Sequence, residues 1–260
     1  MADMAHDRQL SDLNALLGVS RELGATTELL PLLHKVERAV RQVMDCERST
    51  VFLYDTSQEE LYSLVATGDE HIRFSAKLGV AGEALQTRST IIVHDAYADQ
   101  RFNRAIDQAT GFRTRNLLTF PMQGYEGGVV GVLQALNKKE GTFDSLDQER
   151  ASDLGTLAGV AIQRQMLLDE YAEKQRLERD LALARNIQQK LLPKANPQIA
   201  GYQIAGWNRP ADDTGGDCYD YFPVEDGRLG VLLADVTGHG IGPALIVSEC
   251  RALIRALASP

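Results

Sequence analysis

The 260-residue sequence lacks the features that mark several large classes of protein. No apolar run approaches the roughly 20 residues of a membrane-spanning helix, and the N-terminus is too polar for a secretory signal peptide. Three cysteines, Cys46, Cys218 and Cys250, are too few and too widely spaced for a disulfide framework or a zinc site. We therefore expect buried free thiols in a cytoplasmic protein without a membrane partner.

The sequence also lacks an excess of positive charge. Its 27 Lys and Arg residues against 36 Asp and Glu residues give a formal net charge of −9. Because nucleic-acid binding relies on cationic side chains placed opposite phosphates, this balance argues against a nucleic-acid partner. A hydrophobic content of 44% is that of an ordinary globular chain, here long enough for one or two domains.

Hydrophobic periodicity divides the chain into helical and strand-like stretches. Between about residues 10 and 43, apolar residues recur at intervals of three and four residues, which predicts a helix. A second helical pattern begins at Ser145. Between them, β-branched and aromatic runs predict strands. Strands with helices at both ends indicate an α+β domain, to which we assign residues 1–165. The predicted strands are residues 49–55, 60–68, 89–95, 117–123 and 127–138.

The second helical pattern continues without proline as far as Leu192. Two series of residues in this pattern repeat every seven residues, as the two core positions of a coiled coil do, but both series contain polar side chains. Residues 166–192 are therefore either a solvated helix linking two domains or a dimeric coiled coil. The second interpretation predicts a homodimer through the linker and the N-terminal helices. The two series are Leu167, Lys174, Leu181, Gln188 and Glu170, Leu177, Ala184, Leu191.

Strand-like runs return at residues 202–207, 218–224 and 228–236, before a final helical pattern. The last two runs flank Glu225-Asp226-Gly227, a hairpin turn sequence. A three-residue turn places Asp217 opposite Asp235, whereas a two-residue turn shifts the pairing by one residue. Opposed carboxylates repel each other, and Mg²⁺ or Mn²⁺ relieves that repulsion. Metal ligands and ordinary solvated acids are both compatible with this spacing.

The segments "GGD" at 215–217 and "DVTGHG" at 235–240 resemble the opening of PPM-type serine/threonine phosphatases of the SpoIIE-like bacterial branch. The resemblance implies a two-metal centre of Mn or Mg that activates water to attack a phosphoprotein. Asp217 and Asp235 would be catalytic metal ligands, joined by the backbone carbonyl of Val236. The implied substrate is a phosphoprotein of the anti-sigma-factor antagonist type.

The same family supplies further metal-binding acids from later strands. Here Glu249 is the one acid after Asp235. We therefore expect residues 193–260 to be a truncated N-terminal part of a phosphatase domain, a hairpin plus a helix, with little or no activity.

The region before the linker resembles a GAF domain, an antiparallel sheet flanked by helices, of the cyclic-nucleotide-binding kind found in phosphodiesterases and cyclases. The signature N-K-(x)n-F-x-x-x-D-E appears as Asn137, Lys138, Phe143 and Asp147, with Gln148 in place of glutamate. The resemblance implies that Lys138 and Asp147 pair and brace the pocket without touching the ligand.

The segment "DQATGFRTRNLL" contains groups suited to a small polar ligand. Thr110 and Thr114 stand four residues apart, so one helical turn would place both hydroxyls on one face, where they suit purine edges. Arg113 offers positive charge to a phosphate. The expected ligand is cAMP or cGMP, although another small ligand, or none, is compatible with the sequence. By resemblance, the pocket would also be lined by Val80, Ala81, Asp95 and Gln134.

These features predict a GAF sensor at 1–165, a helical linker at 166–192 and a partial phosphatase at 193–260. The expected function is a ligand-regulated protein serine/threonine phosphatase of bacterial signalling, of which this chain is a fragment. The alternative is a cyclic-nucleotide-binding, dimerising regulatory module with no catalysis of its own.

Overall fold

The computed structural model describes residues 16–66, 72–210, 214–224 and 227–258, without the side chains of Ala109 and Thr110. The chain divides into two compact units, Met1–Asp169 and Glu170–Pro260. Within the described ranges, no helix combines the length and the hydropathy needed to cross a bilayer.

The first unit is built around one antiparallel sheet of six strands, numbered β1 to β6 along the chain and lying side by side in the order β3-β2-β1-β6-β5-β4. The predicted α+β class, with an antiparallel sheet flanked by helices, is confirmed. The strands are β1 (Cys46–Asp55), β2 (Glu60–Ala66), β3 (Arg73–Ser75), β4 (Ile91–Val93), β5 (Leu117–Gln123) and β6 (Val129–Lys138). The helices are α1 (described over residues 16–24), α2 (Leu29–Met44), α3 (Gly79–Thr87), α4 (Arg104–Thr110) and the start of α5 (Ser145–Leu191).

The helix predicted between residues 10 and 43 is interrupted, and its part before residue 16 lies outside the described residues. Residues 25–28 separate α1 from α2. The Thr26 hydroxyl donates to the Glu22 carbonyl at 2.8 Å and so satisfies a backbone acceptor at the end of α1. Pro31 lies in the first turn of α2, where its missing N–H costs no helical hydrogen bond.

The main core forms where α2 and α5 pack on one face of the sheet. Two glycines allow α5 to lie directly on β5. A Cβ at Gly155 would stand 2.4 Å from the Pro121 carbonyl oxygen, and one at Gly159 would stand 2.3 Å from that of Gln123. Larger residues at these two positions would push the helix off the sheet.

The predicted long helix is confirmed, because α5 is continuous over 47 residues. A reciprocal cap fixes its start: the Asp147 N–H donates to Asp144 Oδ1 at 3.0 Å, and the Asp144 N–H donates to Asp147 Oδ2 at 3.2 Å. Of the heptad series, Leu167 and Leu177 are exposed by 51% and 56%. The coiled coil itself stays a prediction.

The second unit contains the end of α5, a two-stranded antiparallel hairpin of β7 (Asp217–Val224) and β8 (Arg228–Asp235), and α6 (Ile241–Ala258). The strand predicted at 202–207 is wrong, since residues 203–207 pair with no other strand. This segment instead passes close to the rings of Tyr219 and Tyr221, and the Tyr219 hydroxyl donates to the Gly206 carbonyl at 3.1 Å.

The cysteines differ in their surroundings. Cys46 and Cys218 are buried, as expected, whereas Cys250 is exposed on α6, so the expectation of three buried thiols is wrong for that residue. Burial raises the pKa of Cys46 to about 12, which keeps this thiol protonated and unreactive at neutral pH.

Candidate functional site

A cavity of about 420 Å³ lies in the first unit, on the face of the sheet opposite α2 and α5. Successive side chains of a strand point to opposite faces, so alternate residues of the central strands reach this cavity while their neighbours enter the main core. The cavity falls within the range of about 300–1,000 Å³ typical of small-molecule sites. Its floor is formed by Arg48, Thr50 and Phe52 of β1, Leu117 of β5, and Gln134 and Leu136 of β6.

The walls of the cavity come from α3, from α4 with the residues before it, and from the loop between α4 and β5. They combine apolar surface with a few polar groups, which is the composition expected where a small ligand is enclosed and oriented. The wall residues include Val80, Ala81, Phe102, Asp107, Phe112 and Thr114.

Four of the predicted ligand residues line this cavity: Val80, Ala81, Thr114 and Gln134. Val80 and Ala81 lie in the first turn of α3, where backbone N–H groups have no partner within the helix. The Gln134 side-chain amide donates to the Thr119 hydroxyl at 3.1 Å, which fixes its orientation on β6.

Asp95 and Arg113 are not brought into the cavity. One Asp95 oxygen accepts hydrogen bonds from the backbone N–H groups of Tyr97 and Ala98, at 3.0 and 3.3 Å, so this side chain closes a turn. The Arg113 side chain is exposed, and its guanidinium carbon lies 5.5 Å from the centroid of the Tyr97 ring. The Thr110 side chain lies outside the described residues.

The helical turn predicted to align Thr110 with Thr114 is wrong. Helix α4 ends at Thr110, and Gly111 adopts a left-handed conformation with φ of 66°. Thr114 therefore follows the helix, and its backbone N–H and hydroxyl donate to the two oxygens of Asp107, at 2.7 and 2.8 Å. The Tyr97 phenol also donates to Asp107, at 3.2 Å, and burial together with this hydrogen bond raises the pKa of Tyr97.

Asn137 ties the loop before β5 to the end of β6. Its backbone is left-handed, with φ of 58°, a conformation that asparagine tolerates better than most residues. Its side-chain amide donates to the Arg113 carbonyl and to Glu47, both at 2.9 Å, and its oxygen accepts from the Arg115 N–H at 2.6 Å. The Asn137 amide, with the Arg115 guanidinium, lowers the pKa of Glu47 below its ordinary range.

Lys138 and Asp147 lie side by side beneath the sheet. The ammonium of Lys138 is 2.6 Å from Asp147 Oδ1, and these side chains are exposed by only 15% and 3%. The ring of Phe143 is buried beneath the ammonium, at 5.6 Å. Neither of the paired residues lines the cavity; the pair joins the end of β6 to the start of α5, and a role in bracing the pocket stays a prediction.

Arg48, Thr50 and Asp107 line the cavity but were not predicted from the sequence. Arg48 stacks on Phe112, with 4.1 Å between its guanidinium carbon and the ring centroid. Arg48 and Thr50 could have been found from the alternation of β1, which places every second residue on one face. No local pattern signals Asp107, because its partners come from two other segments.

In the second unit, the hairpin register places Asp217 directly opposite Asp235. Val224 pairs with Arg228 across the turn, and Gly227 is left-handed with φ of 71°, which is the register of the three-residue turn. Both acids are exposed, and the Val236 N–H donates to the Gly216 carbonyl at 3.1 Å. Among the residues that the structure describes, no three His, Cys, Asp or Glu side chains are grouped so as to hold a metal ion.

Two further contacts position the start of β7. Asp220 is 1% exposed and forms ion pairs with Arg251 at 2.9 Å and Arg255 at 2.8 Å, which joins the hairpin to α6. The Gln188 side chain of α5 donates to the Gly215 carbonyl at 2.5 Å and accepts from the Gly215 N–H at 3.2 Å. These two hydrogen bonds join the end of α5 to Gly215, which precedes Asp217 by two residues.

The model of the GAF domain family matches residues 28–162, and the chain therefore belongs to the GAF domain family. A cGMP-specific 3′,5′-cyclic phosphodiesterase of Drosophila melanogaster is 31% identical over 205 residues, covering 69% of this chain and 18% of that protein. A probable 3′,5′-cyclic phosphodiesterase of Caenorhabditis elegans is 30% identical over 183 residues, covering 65% of this chain and 25% of that protein. The chain thus spans a quarter or less of the length of these relatives.

Solved structures agree on the fold. The GAF domain of a phosphoenolpyruvate-protein phosphotransferase from Coxiella burnetii superposes with a TM-score of 0.56 at 16% identity, covering 62% of this chain and 98% of that one. Free methionine-R-sulfoxide reductase from Neisseria meningitidis superposes with a TM-score of 0.52 at 18% identity, covering 60% of this chain and 91% of that one. Because one of these structures is a domain of a phosphotransferase and the other is a methionine sulfoxide reductase, the fold alone does not decide the activity. The phosphatase resemblance of residues 193–260 lies beyond the matched family and stays a prediction.

Proposed function

We propose that this chain is a regulatory module whose GAF cavity binds a purine 3′,5′-cyclic nucleotide. The observation that carries the proposal is the cavity of about 420 Å³, lined by Val80, Ala81, Thr114 and Gln134. Its apolar surface suits a purine face, while hydroxyl, amide and backbone N–H groups suit the polar edges of a nucleotide. The relatives named as cGMP-specific phosphodiesterases support this ligand class and make cGMP the first nucleotide to test.

Calorimetry with cGMP, cAMP and 5′-GMP tests the ligand. We expect binding of one cyclic nucleotide and a loss of affinity of at least about tenfold in Thr114→Val, which removes a hydroxyl from the cavity wall together with its hydrogen bond to Asp107. Thr156→Val is the matched control, because Thr156 is an exposed residue of α5 whose hydroxyl bonds only within its own helix. The absence of heat with either cyclic nucleotide at high micromolar concentration would disprove the proposal.

The same proposal includes a homodimer through α5 and the N-terminal helices, in the cytoplasm. Exposed Leu167 and Leu177 support it, since they occupy the two predicted heptad positions. Light scattering of Leu167→Glu/Leu177→Glu should give half the mass of the wild type. Leu183→Glu is the control, because Leu183 is equally exposed but lies outside both series. A monomeric wild type contradicts the dimer and leaves the ligand proposal intact.

A second candidate function is a metal-dependent phosphatase output acting on a phosphoprotein of the anti-sigma-factor antagonist type. The pairing of Asp217 with Asp235 favours it, because two opposed carboxylates beside Val236 suit Mn²⁺ or Mg²⁺. Under this hypothesis, binding of nucleotide in the cavity changes the packing of α5, and α5 passes this change on to the hairpin. Mn²⁺ titration of the chain followed by electron paramagnetic resonance should show binding that Asp235→Asn weakens. Equal binding by both proteins would remove Asp235 from the site.

A further inference from the structure

Three segments of the first unit meet at the carboxylate of Asp107. Asp107 belongs to α4, Thr114 precedes β5, and Tyr97 follows β4. We propose that Tyr97 is a positioning residue for the cavity: its phenol holds Asp107, and Asp107 holds Thr114 in the cavity wall. Tyr97 does not itself line the cavity. The inference rests on the proposed function, because the role it assigns to Tyr97 is to retain the nucleotide bound there.

The hydrogen bonds at Asp107 fix the orientation of its carboxylate. Oδ1 accepts from the Thr114 hydroxyl at 2.8 Å, while Oδ2 accepts from the Thr114 N–H at 2.7 Å and from the Tyr97 phenol at 3.2 Å. Asp107 and Thr114 are exposed by only 6% and 2%. A carboxylate this buried needs donors, so each of these three bonds constrains the wall of the cavity.

Tyr97 is itself held from several sides. The guanidinium carbons of Arg104 and Arg113 lie 5.1 and 5.5 Å from its ring centroid, and Arg104 also donates to the Tyr97 carbonyl. The ring packs against Phe102, a cavity residue, at 5.7 Å between centroids. The phenol is therefore presented to Asp107 by a ring whose position does not depend on the hydroxyl.

The loop that carries Thr114 is bonded on both sides. Asp107 holds Thr114, and the Asn137 amide donates to the carbonyl of Arg113 at 2.9 Å. Removing the Tyr97 hydroxyl alone leaves the Asn137 side intact and loosens the Asp107 side. The loop then opens more often, so a bound ligand escapes faster, while the shape of the open site that a ligand enters is unchanged.

Tyr97→Phe tests this role, with Tyr62→Phe as the matched control, because Tyr62 lies on β2 and does not line the cavity. Stopped-flow measurements with cGMP and with cAMP should give a dissociation rate about three- to tenfold faster in Tyr97→Phe, the effect of losing one hydrogen bond. The association rate should stay within about twofold of the wild type. Tyr62→Phe should change neither rate.

Amide hydrogen exchange without nucleotide gives a readout that does not require a ligand. The Thr114 amide should exchange faster in Tyr97→Phe than in the wild type or in Tyr62→Phe, and by a larger factor than the amides of the central strands β1 and β6. Wild-type dissociation rates in Tyr97→Phe would overturn the inference, as would unchanged exchange at Thr114. If the wild type binds neither nucleotide, the proposed function fails, and the Thr114 exchange alone decides whether Tyr97 holds the loop.

Discussion

Asp147 of the first unit and the pair Asp217 and Asp235 of the second unit have opposite surroundings. In the first unit, Asp147 is buried beside Lys138 at 2.6 Å and also caps α5. In the second unit, Asp217 and Asp235 stand opposite each other, exposed and of like charge. A buried acid with a cationic partner braces a fold, whereas opposed acids without a cation weaken the pair of strands that carries them.

The sheets differ in the same sense. The six-stranded sheet of the first unit has buried residues on both faces, against α2 and α5 on one side and α3 on the other. On the hairpin of the second unit, Val231 and Leu233 are exposed by 62% and 84%. The sheet of the first unit thus buries apolar side chains on both of its faces, whereas the hairpin leaves two of its apolar side chains exposed.

The largest effect is expected from breaking the Lys138–Asp147 pair. Asp147→Asn leaves a buried ammonium without its counter-charge and should cost about 3 kcal/mol in the free energy of unfolding. Denaturation of the first unit by urea measures this change. The double variant Lys138→Met/Asp147→Asn removes both charges and should recover part of the loss. If the double variant is as unstable as the single one, the charge pair is not the cause.

A somewhat smaller effect is expected at Asn137, which combines side-chain bonds with left-handed backbone. Asn137→Ala loses the bonds to Glu47, Arg113 and Arg115 and places Ala at φ of 58°, so we expect a loss of about 2–3 kcal/mol. Asn137→Gly loses the same bonds without the backbone penalty and should be about 1 kcal/mol more stable than the alanine variant. Equal stability would assign the whole effect to the bonds.

The contrast between the units also explains what could be predicted from the sequence. Strand-like runs and helical periodicity are regular patterns, and they identified the sheet and the long helix. The cavity residues Val80, Ala81 and Gln134 came from the resemblance to GAF domains. Thr114 was assigned to the cavity for the wrong reason, because Gly111 ends α4 and tertiary contacts with Asp107 place the residue instead. Asp107 and Tyr97 were missed, since their roles depend on segments that meet only in the folded chain.

In the second unit the expected change has the opposite sign. Asp235→Asn removes the repulsion across the hairpin, so without added metal it should stabilise β7 and β8 by about 0.5 kcal/mol. Amide exchange of the paired hairpin residues should slow by about twofold, because a stabilisation of about 0.5 kcal/mol changes the equilibrium between closed and open hairpin by that factor. With Mn²⁺ present, the hairpin of the wild type should become more stable than that of Asp235→Asn if the two acids bind the ion. A destabilised Asp235→Asn without metal would show that Asp235 already makes a favourable contact.

The smallest effect concerns Glu47, whose pKa is lowered by the Asn137 amide and the Arg115 guanidinium. A carboxylate with a lowered pKa stabilises the folded state above its unfolded pKa of about 4.3, and that stabilisation is lost as the pH falls. Because Glu47 is partly exposed, screening limits its share to roughly 0.3 kcal/mol. Glu47→Gln should therefore flatten the acid limb of the stability curve below about pH 4.3, as followed by urea denaturation at several pH values. An unchanged acid limb would mean that other carboxylates, such as Asp144 at the start of α5, carry the acid sensitivity of the first unit.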